Sequence, residues 1–428
     1  MLDINYIREK PDEVRDALLK RMVDVDFTEM LSWDKKRREL LVETENLKAK
    51  RNKVSADIPR LKKSGQDVNP LLEEMKQIAD LIKDQDTQIA EYEKKIYDFL
   101  VVLPNIPAKD VKAGGKENNE VVRVWGEKPG FSFEPKNHVD LVRDLDLIDY
   151  ERGVKMGGNG FWLYKGKGAL IEWALLNYFI EEHLKDGYEF ILPPHILTWQ
   201  CGYTAGQFPK FEDDVFSLEK EEDAANRQFI LPTAETALCN YYRDEILRED
   251  ELPRKFFAYT PCYRKEAGSY RANERGMIRG HQFNKVEMFQ YTKPEDSEDA
   301  LSELVEKAER LVQGLGLHYR VSKLAAGDCS ASMGKTYDIE IWIPSMNEYK
   351  EVSSASNGYD FQARRGNIRF KREGSRKTEF VHTLNASGLA TSRLLPAIVE
   401  QLQQEDGSVL VPEVLQKWVG VEKIKANK

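Results

Sequence analysis

The chain has 428 residues, and its 64 lysines and arginines against 73 aspartates and glutamates give a formal net charge of −9. It contains no run of about 18 apolar residues, which excludes a helical membrane span. The first residues lack a signal-peptide pattern, so we expect a cytoplasmic protein. The four cysteines lie far apart, which argues against a disulfide framework and a clustered zinc site. The charge argues against a polyanionic partner only if it is evenly spread along the chain.

Residues 28 to 98 have the pattern of a coiled coil. Apolar residues recur at alternating spacings of four and three in the second half, interrupted only by Gln85. The first half has an apolar residue at every seventh position, from Trp33 to Leu61, whereas its companion seam is polar. Residues 64–70 read as a turn, so the pattern predicts an antiparallel helical hairpin about 50 Å long. Pro59 is expected to kink or end the first helix.

Charge is uneven within this hairpin. Between residues 48 and 63 only Asp57 is acidic, and the net charge is +6 (7 − 1), which leaves −15 for the remainder (−9 − 6). The basic residues of this stretch are Lys48, Lys50, Arg51, Lys53, Arg60, Lys62 and Lys63. A patch of one sign is typical of a contact with a phosphate backbone. From these residues alone, a nucleic-acid-binding arm and a partner-binding coiled coil remain equally open.

Beyond residue 99, prolines and glycines up to Pro135 indicate a linker, and a mixed domain follows. The predicted strands are too closely spaced for regular parallel crossovers, so we expect an α+β domain around a mostly antiparallel sheet. The predicted strands are 190–192, 228–231, 256–259, 286–290 and 339–343. The predicted helices are 170–184, 234–247, 297–312 and 392–403.

The segment from Tyr263 to Glu287 carries the most chemistry. Two strands joined by a charged loop would bring Arg264, Glu266, Arg279 and Glu287 close together. Arginines clamp phosphate oxygens, a carboxylate such as Glu287 neutralises an ammonium group, and an aromatic ring offers a face for a base. An ion-paired surface hairpin explains these residues equally well.

Three further segments are weaker signals by themselves. Residues 382–393 read as a small polar turn before a helix, where Arg393 would favour an anion, although a capped helix with a surface arginine is the favoured interpretation. Carboxylate and hydroxyl groups in Glu351-Val352-Ser353-Ser354 suit Mg²⁺. Thr233-Ala234-Glu235 reads by default as the capped start of a helix.

Taken together and in order, these motifs resemble those of the seryl-tRNA synthetases across nearly the whole chain. Residues 187–194, 264–287 and 385–393 are similar to the three motifs of class II synthetases, and the first builds the dimer interface in that family. Further family-like segments are 206–211, 233–235, 351–354 and 360–365. The resemblance implies a class II antiparallel sheet of six to seven strands flanked by helices. It also implies an N-terminal antiparallel coiled-coil arm that grips the long variable arm of serine tRNA.

The resemblance also implies roles for individual residues. A serine pocket would consist of Thr233, Ala234, Glu235, Glu287, Asn385 and Ser387. ATP would contact Arg264, Lys265, Glu266, Arg279, Phe283, Glu351, Val352, Ser353, Ser354 and Arg393. Three of these, Arg264, Arg279 and Arg393, would be catalytic, and Glu351 with Ser354 would hold Mg²⁺. The seven basic residues between 48 and 63 would bind tRNA.

The resemblance thus predicts an ATP-dependent homodimeric ligase of L-serine and serine tRNA that needs Mg²⁺ but no zinc and does not bind a membrane. It would also serylate selenocysteine tRNA where that tRNA is present. Residues 1–108 would form the tRNA-binding domain and residues 109–428 the catalytic domain. Loop 269–276 departs from the family pattern, which bears on acceptor-end contact. The alternatives are a carrier-protein aminoacyl ligase and an inactive RNA-binding homologue.

Overall fold

The computed structural model describes residues 1–218, 227–266 and 276–426. It divides into two compact units. The arm unit comprises Leu2–Asp16 and Asp24–Leu103, and the body unit comprises Met1, Ala17–Val23 and Pro104–Lys428. No helix in the described residues combines the length and apolar character that crossing a bilayer requires.

The helices of the described residues are α1 (Ile4–Glu9), α2 (Pro11–Leu19), α3 (Thr28–Lys63), α4 (Asn69–Val101), α5 (His138–Asp144), α6 (Tyr150–Gly157), α7 (Lys167–Lys185), α8 (Trp199–Thr204), α9 (Ala234–Leu238), α10 (Ser297–Gly314), α11 (Phe361–Gly366), α12 (Leu394–Gln401) and α13 (Glu413–Val419).

The strands are β1 (Glu120–Trp125), β2 (Ile148–Asp149), β3 (Leu163–Tyr164), β4 (Glu189–Ile191), β5 (Ile196–Thr198), β6 (Phe216–Ser217), β7 (Gln228–Ile230), β8 (Ile246–Arg248), β9 (Arg254–Tyr263), β10 (Gln282–Thr292), β11 (Tyr319–Lys323), β12 (Lys335–Ile343), β13 (Glu348–Tyr359), β14 (Arg369–Lys371), β15 (Thr378–Phe380), β16 (His382–Ala390), β17 (Val409–Leu410) and β18 (Lys423–Ile424).

The arm unit contains the predicted helical hairpin. Helices α3 and α4 pack along the heptad seam, and the side chains of α4 that it buries are Met75, Ile78, Ile82, Gln85, Ile89, Ile96 and Leu100. Gln85, which interrupts the apolar pattern of α4, packs against the polar seam of α3. The Thr44 hydroxyl donates to the amide oxygen of Gln85 at 2.8 Å. A buried polar pair of this kind favours one register of the two helices over others. Pro59 does not end α3, which continues to Lys63, so that of the two expected effects only the kink remains a prediction.

The body unit is built on an eight-stranded sheet in the order β1-β11-β12-β13-β16-β10-β9-β4. All its neighbouring strands are antiparallel except β4 and β9. The predicted α+β architecture around an antiparallel sheet is therefore confirmed. The sheet has eight strands, however, against the six to seven that the resemblance implied.

Three predictions of local structure were wrong. Residues 104–135 were predicted to be a linker, but they include the edge strand β1. This strand is rich in Val, and the glycines and prolines on either side of it hid the strand pattern. The helix that begins at Ala234 ends at Leu238 rather than at residue 247, and Asp244 beyond it has a left-handed φ of 65°. The turn predicted at 382–393 is strand β16 as far as Ala390.

Strand β16 explains its own composition. It lies between β13 and β10 and is buried along nearly its whole length, so small residues fit where bulky strand formers do not. At Gly388, an added Cβ would lie 2.3 Å from Nε2 of the buried His183 of α7. The sequence Ala-Ser-Gly thus reflects close packing in the centre of the sheet and not a turn.

The two faces of the sheet differ in chemistry. Side chains such as Val286, Ile339 and Ala386 belong to a large apolar core that includes residues of α7, α10 and α12. The residues one position before or after them in the chain point to the other face and line a cleft. Strand alternation thus separates the core from the candidate site.

Candidate functional site

The polar face of the sheet forms the floor of an open cleft of about 1120 Å³ in the body unit. Strand β10 contributes Phe283, Lys285 and Glu287, which are two residues apart and therefore share a face. The neighbouring strand β16 contributes Asn385 and Ser387. The strands beyond it, β13 and β12, contribute carboxylates and hydroxyls, so the floor changes character from one end to the other.

A buried ion pair lies at the β10 end of this floor. Nζ of Lys285 is 2.6 Å from Oε2 of Glu287, and the two side chains are 8% and 2% exposed. The hydroxyl of Ser387 lies 3.4 Å from the same carboxylate oxygen, since the β10–β16 register sets these residues opposite each other. Oδ1 of Asn385 is buried and has no hydrogen-bond partner among the described residues. This corner presents oriented polar groups to a small polar ligand.

Glu235 lies beside this pair at the start of α9. Thr233 caps the helix, and its hydroxyl oxygen accepts from the backbone N–H of Glu235 at 3.3 Å. Gln362 of α11 donates to Oε1 of Glu235 at 2.8 Å. Burial and, next in size, the negative charge of Glu287 raise the pKa of Glu235 to about 7. The site therefore holds a second carboxyl group poised to change charge near neutral pH.

Arginines and an aromatic ring lie at the end of β9 and the start of β10. The guanidinium carbon of Arg264 is 5.2 Å from the ring centroid of Phe283, and its Nε donates to the carbonyl of Pro232 at 3.2 Å. Arg279 forms an ion pair with Glu266, with Nε 2.6 Å from Oε2. The predicted strand–loop–strand arrangement thus brings Arg264, Glu266, Arg279 and Glu287 to one cleft. Together they suit a flat base with attached anionic groups.

Arg393 comes directly before α12 and also lines the cleft. Its Nη1 donates to the backbone carbonyl of Glu351 at 2.6 Å and lies 3.7 Å from the carboxylate of that residue. Its Nε donates to the carbonyl of Ile278 at 3.1 Å. The guanidinium is therefore held at two points, which positions a fixed positive charge at the wall of the cleft.

Strand β13 contains a bulge that decides which of its residues reach the cleft. Ser353 pairs with Ile339, but the next pair along β12 is Glu340 with Glu351, so Val352 is an extra residue. On a regular strand, Glu351 and Ser354 would point to opposite faces, because they are an odd number of residues apart. The bulge places both of them on the cleft side. Ser353 faces away, and its hydroxyl donates to the backbone carbonyl of Ser387 at 2.5 Å.

Most of the residues predicted to contact serine, ATP or Mg²⁺ line this cleft, and three do not. The lining residues are Thr233, Glu235, Arg264, Glu266, Arg279, Phe283, Glu287, Glu351, Val352, Ser354, Asn385, Ser387 and Arg393. Ala234 belongs to the apolar core and Ser353 is buried behind the sheet surface. Lys265 is exposed, and its side chain is not part of the lining. The assignments of individual roles remain predictions.

Several residues of the site were missed from the sequence. Lys285 lies between Phe283 and Glu287 on the same face, and strand alternation applied to that segment identifies it. Asp338 and Glu340 of β12 also line the cleft, whereas the predicted strand began one residue after Asp338. Gln362 becomes a partner of Glu235 only through the packing of α11, for which the sequence carries no local signal.

The acidic end of the floor has uneven charge compensation. Nε of Arg320 lies 2.7 Å from Oε2 of Glu340. Asp338 is buried, its Oδ1 has no hydrogen-bond partner among the described residues, and burial followed by the charge of Glu351 raises its pKa well above the usual range. Within residues 1–218, 227–266 and 276–426, no group of three or more His, Cys, Asp or Glu residues is placed to hold a metal ion by itself.

The basic stretch of the arm unit lies on α3. Lys48 and Lys50 are partly neutralised by α4, with Nζ 3.3 Å from Asp86 and 2.5 Å from Glu74, and Arg60 lies 3.4 Å from Asp57. The remaining four basic residues form no ion pair within the described part of the chain. They are Arg51, Lys53, Lys62 and Lys63. Of the loop 269–276, whose sequence departs from the family pattern, residues 269–275 lie outside the described residues.

Two family models match the chain. Residues 1–107 match the seryl-tRNA synthetase N-terminal domain, and residues 216–402 match the tRNA synthetase class II core domain of the G, H, P, S and T enzymes. The chain is 65% identical over 425 residues to serine–tRNA ligase 2 of Clostridium acetobutylicum, covering 99% of this chain and 100% of that protein. It is 46% identical to the serine–tRNA ligase of Thermodesulfovibrio yellowstonii, over 99% of this chain and 100% of that one.

Solved structures of the same kind are similar over the whole chain. Seryl-tRNA synthetase from Pyrococcus horikoshii, complexed with ATP, has a TM-score of 0.92 at 34% identity and full coverage of both chains. The cytoplasmic serine–tRNA ligase from Naegleria fowleri, in complex with AMP, has a TM-score of 0.88 at 29% identity, over 100% of this chain and 99% of that one.

The raised pKa of Glu235 generates a testable prediction. The folded state holds a proton on Glu235 between about pH 4.5 and 7 that the unfolded state releases, so stability falls as pH rises through this window. Above pH 7 the full cost is present, and its size is about 3 kcal/mol. The variant Glu235→Gln should therefore be more stable than the wild type at pH 8, by up to that amount, and should lose this advantage near pH 4.5.

Thermal unfolding at both pH values measures this effect, and Glu189→Gln on the exposed edge strand β4 is the control. A difference between Glu235→Gln and the wild type that does not change with pH would show that the pKa of Glu235 is not raised.

Proposed function

The chain belongs to the seryl-tRNA synthetase family, and from this membership we propose that it joins L-serine to serine tRNA in two steps at the body-unit cleft. It is thus an aminoacyl-tRNA synthetase, a ligase that uses ATP. The observation that carries the assignment of the site is the common cleft, in which the buried Lys285–Glu287 pair lies beside the stacked Arg264 and Phe283. An amino acid and a nucleotide need these two chemistries side by side.

The serine end is assigned to the corner around Glu287. Its buried carboxylate and the adjacent Glu235 suit the substrate ammonium group, while Thr233, Asn385 and Ser387 offer polar contacts to the rest of the amino acid. The unpartnered Oδ1 of Asn385 is an acceptor in this pocket. Groups built to hydrogen-bond a hydroxyl discriminate strongly against alanine, because alanine would leave them unpaired in a buried place. Threonine must instead be excluded by its size.

The nucleotide end is assigned to the arginine-rich part of the cleft. We assign Phe283 to the adenine ring, Glu266 to its amino group, Arg264 to the α-phosphate and Arg393 to the γ-phosphate. Arg279 would contact the phosphates, and it forms an ion pair with Glu266. Exchange of this partner for phosphate would couple ATP binding to a local rearrangement of charge.

The chemistry follows from positioning. A carboxylate oxygen of serine attacks the α-phosphorus in line, the bond to the β-phosphate oxygen breaks, and pyrophosphate leaves. The terminal ribose hydroxyl of tRNA then attacks the carbonyl carbon of the seryl-adenylate, and AMP leaves. Neither step needs a protein nucleophile, so the cleft acts by orienting the reactants and by neutralising the developing negative charge with fixed arginines.

A divalent cation fits the acidic end of the cleft. Glu351 and Ser354 share the cleft face because of the β13 bulge, and carboxylate with hydroxyl oxygen is a ligand set that suits Mg²⁺. We propose that these two residues hold Mg²⁺ together with ATP phosphates. The ion supplies charge neutralisation on the phosphates when bound. Zinc has no place in this proposal.

The arm unit is assigned to tRNA. We propose residues 1–108 as the tRNA-binding domain and 109–428 as the catalytic domain, with Arg51, Lys53, Lys62 and Lys63 as the main phosphate contacts. Serylation of selenocysteine tRNA, where it occurs, belongs to the same proposal, because the arm would grip the long variable arm of the tRNA. A cytoplasmic location fits such a partner. A carrier-protein ligase is not favoured, since such proteins lack the arm. An inactive homologue is not favoured either, because it could have lost Arg264, Glu287 or Arg393, and all three are present.

A homodimer is proposed from the second apolar face of α7. Leu170, Trp173 and Leu184 lie at helical spacing and are 42%, 56% and 53% exposed, although the opposite face of α7 is already buried in the core. Leu192, just after β4, is 72% exposed. A cluster of large exposed apolar side chains is typical of a protein–protein interface. Leu192 lies within residues 187–194, which are similar to the first class II motif, and this supports a second copy of the chain as the occupant.

Activation can be tested without tRNA. We expect serine-dependent exchange of pyrophosphate into ATP, and we expect Glu287→Gln to lower kcat/KM for serine at least about 30-fold, because the charge facing the ammonium group is lost. The control Glu189→Gln removes an exposed carboxylate from the edge of the same sheet. Absence of exchange in folded wild-type protein would refute the activation step, and full activity of Glu287→Gln would remove this residue from the pocket.

The arm can be tested separately. Changing Arg51, Lys53, Lys62 and Lys63 together to Ala should weaken tRNA binding and lower the slope of log affinity against log salt by about 3, while pyrophosphate exchange stays unchanged. The control is Lys48→Ala with Lys50→Ala, whose charges are already paired within the arm and should matter less. Equal loss of exchange and charging would contradict this division of labour.

The dimer proposal predicts that Trp173→Glu combined with Leu192→Asp yields monomers in sedimentation velocity, because charged groups would be buried at the contact. Val42→Glu alters a residue of α3 that is 63% exposed and serves as the control. A wild-type chain that sediments as a monomer, or a double variant that still dimerises, would contradict the proposal.

A further inference from the structure

Asp338 is a buried carboxylate of the cleft that has a hydrogen bond with Ser354 but is only partly satisfied by it. It lies on β12, is only 9% exposed and lines the cleft floor, whereas its chain neighbours Tyr337 and Ile339 face the other side. Its Oδ1 is buried and has no hydrogen-bond partner in the described part of the chain. None of the roles assigned above to serine, ATP or tRNA uses this carboxylate.

The surroundings of Asp338 make it costly as a structural residue. The charged groups that act most strongly on it are Glu351, Glu340 and Asp328, all of them acidic. Glu340 is compensated, since Arg320 lies 2.7 Å away and the Ser322 hydroxyl donates to it at 2.6 Å. No Lys or Arg of the described residues forms a corresponding ion pair with Asp338.

The sheet register gives Asp338 specific neighbours. It pairs directly with Ser354, and Glu340, two residues further along β12, pairs with Glu351. Directly opposed side chains of an antiparallel pair have Cβ atoms about 5 Å apart, and diagonal pairs are within reach of longer side chains. Asp338, Ser354 and Glu351 therefore present oxygen atoms to one small region of the cleft, and the β13 bulge is what brings Glu351 into this group.

A buried carboxylate among other carboxylates must either carry a proton or face a cation. An oxygen-only set of two carboxylates and a hydroxyl is suited to a hard divalent ion that completes its shell with water and phosphate.

We propose that Asp338 is a further ligand of the divalent cation assigned to Glu351 and Ser354, so that these three residues form a cation site already present before ATP binds. The inference rests on the proposed metal assignment and extends it to a residue on the neighbouring strand. It gives the unpartnered Oδ1 a partner and explains why Asp338 and Glu351 share one edge of the cleft. Two adjacent strands would then fix the ion, and through it the phosphates, relative to Arg393.

The test uses Mn²⁺ alone with the nucleotide-free full-length protein, read by water-proton relaxation and by the free-Mn²⁺ electron paramagnetic resonance signal. The wild type should bind one ion, and Asp338→Asn should bind it about 10- to 100-fold more weakly. Asp328→Asn is the matched control, because Asp328 also lines the cleft but already accepts from Asn119 at 2.8 Å. Its affinity should fall much less than that of Asp338→Asn, because Asp328 is not a ligand in this proposal.

Asp338→Asn distinguishes a protonated Asp338 from an Asp338 that binds a cation, since Asn has the shape of a protonated Asp. Unchanged Mn²⁺ affinity in folded Asp338→Asn would overturn the inference and show that Asp338 is a neutral hydrogen-bonding group. Failure of the wild type to bind Mn²⁺ would overturn it as well. Serine-dependent pyrophosphate exchange by the wild type, measured with Mg²⁺, separates these outcomes from failure of the proposed function.

Discussion

The alternation of side chains across the eight-stranded sheet is the constraint on which the whole body unit depends. Each strand that builds the site must present apolar residues to α7, α10 and α12 and polar residues to the cleft. Strand β10 does this with Val286 and Met288 on one side and Lys285 and Glu287 on the other. A shift of one residue in register would exchange these faces and bury the charges in the core. Core packing and the lining of the cleft are therefore specified by the same strand register.

This arrangement has an electrostatic cost that is concentrated where function needs it. Burial raises the pKa of Glu235 to about 7, and Asp338 lies near three other acidic residues without a basic partner. Such groups lower the stability of the free protein, because an ionised carboxylate loses its hydration in the cleft. Ammonium, guanidinium or metal cations can recover that energy on binding. The cleft thus suits positively charged ligand groups beside the arginines to which we assign ATP.

In the arm unit, a buried polar pair fixes the register of two helices. Its helices are held together by a heptad seam, and the buried pair of Thr44 and Gln85 interrupts that seam with a hydrogen bond rather than an apolar contact. Such a pair sacrifices some stability for a defined register. A fixed register in turn fixes which cations of α3 are neutralised by α4 and which, such as Arg51 and Lys62, remain available to phosphates.

Local patterns in the sequence were sufficient for elements whose neighbours are close in the chain. The heptads, the strand segments of β9, β10 and β12 and the identity of the motifs could all be read directly, and the net charge of −9 resolved into a basic arm segment and an acidic remainder. Strand β16 could not be read, because its small residues are a response to neighbours on both sides. Strand β1 was missed because it is an edge strand whose pairing with β11 defines it.

For the site, the sequence by itself determined which residue types are available. Thirteen of the side chains predicted from it for serine, ATP and Mg²⁺ line the cleft. Only the tertiary structure decided which side chains of β13 point into the cleft. A single extra residue at Val352 brings Glu351 and Ser354 to the same side and turns Ser353 away. The tertiary structure alone also brought Gln362 to Glu235 and Asp338 to Ser354. The physical reason is that bulges and cross-strand registers are set by pairing between segments distant in the chain, which no local periodicity records.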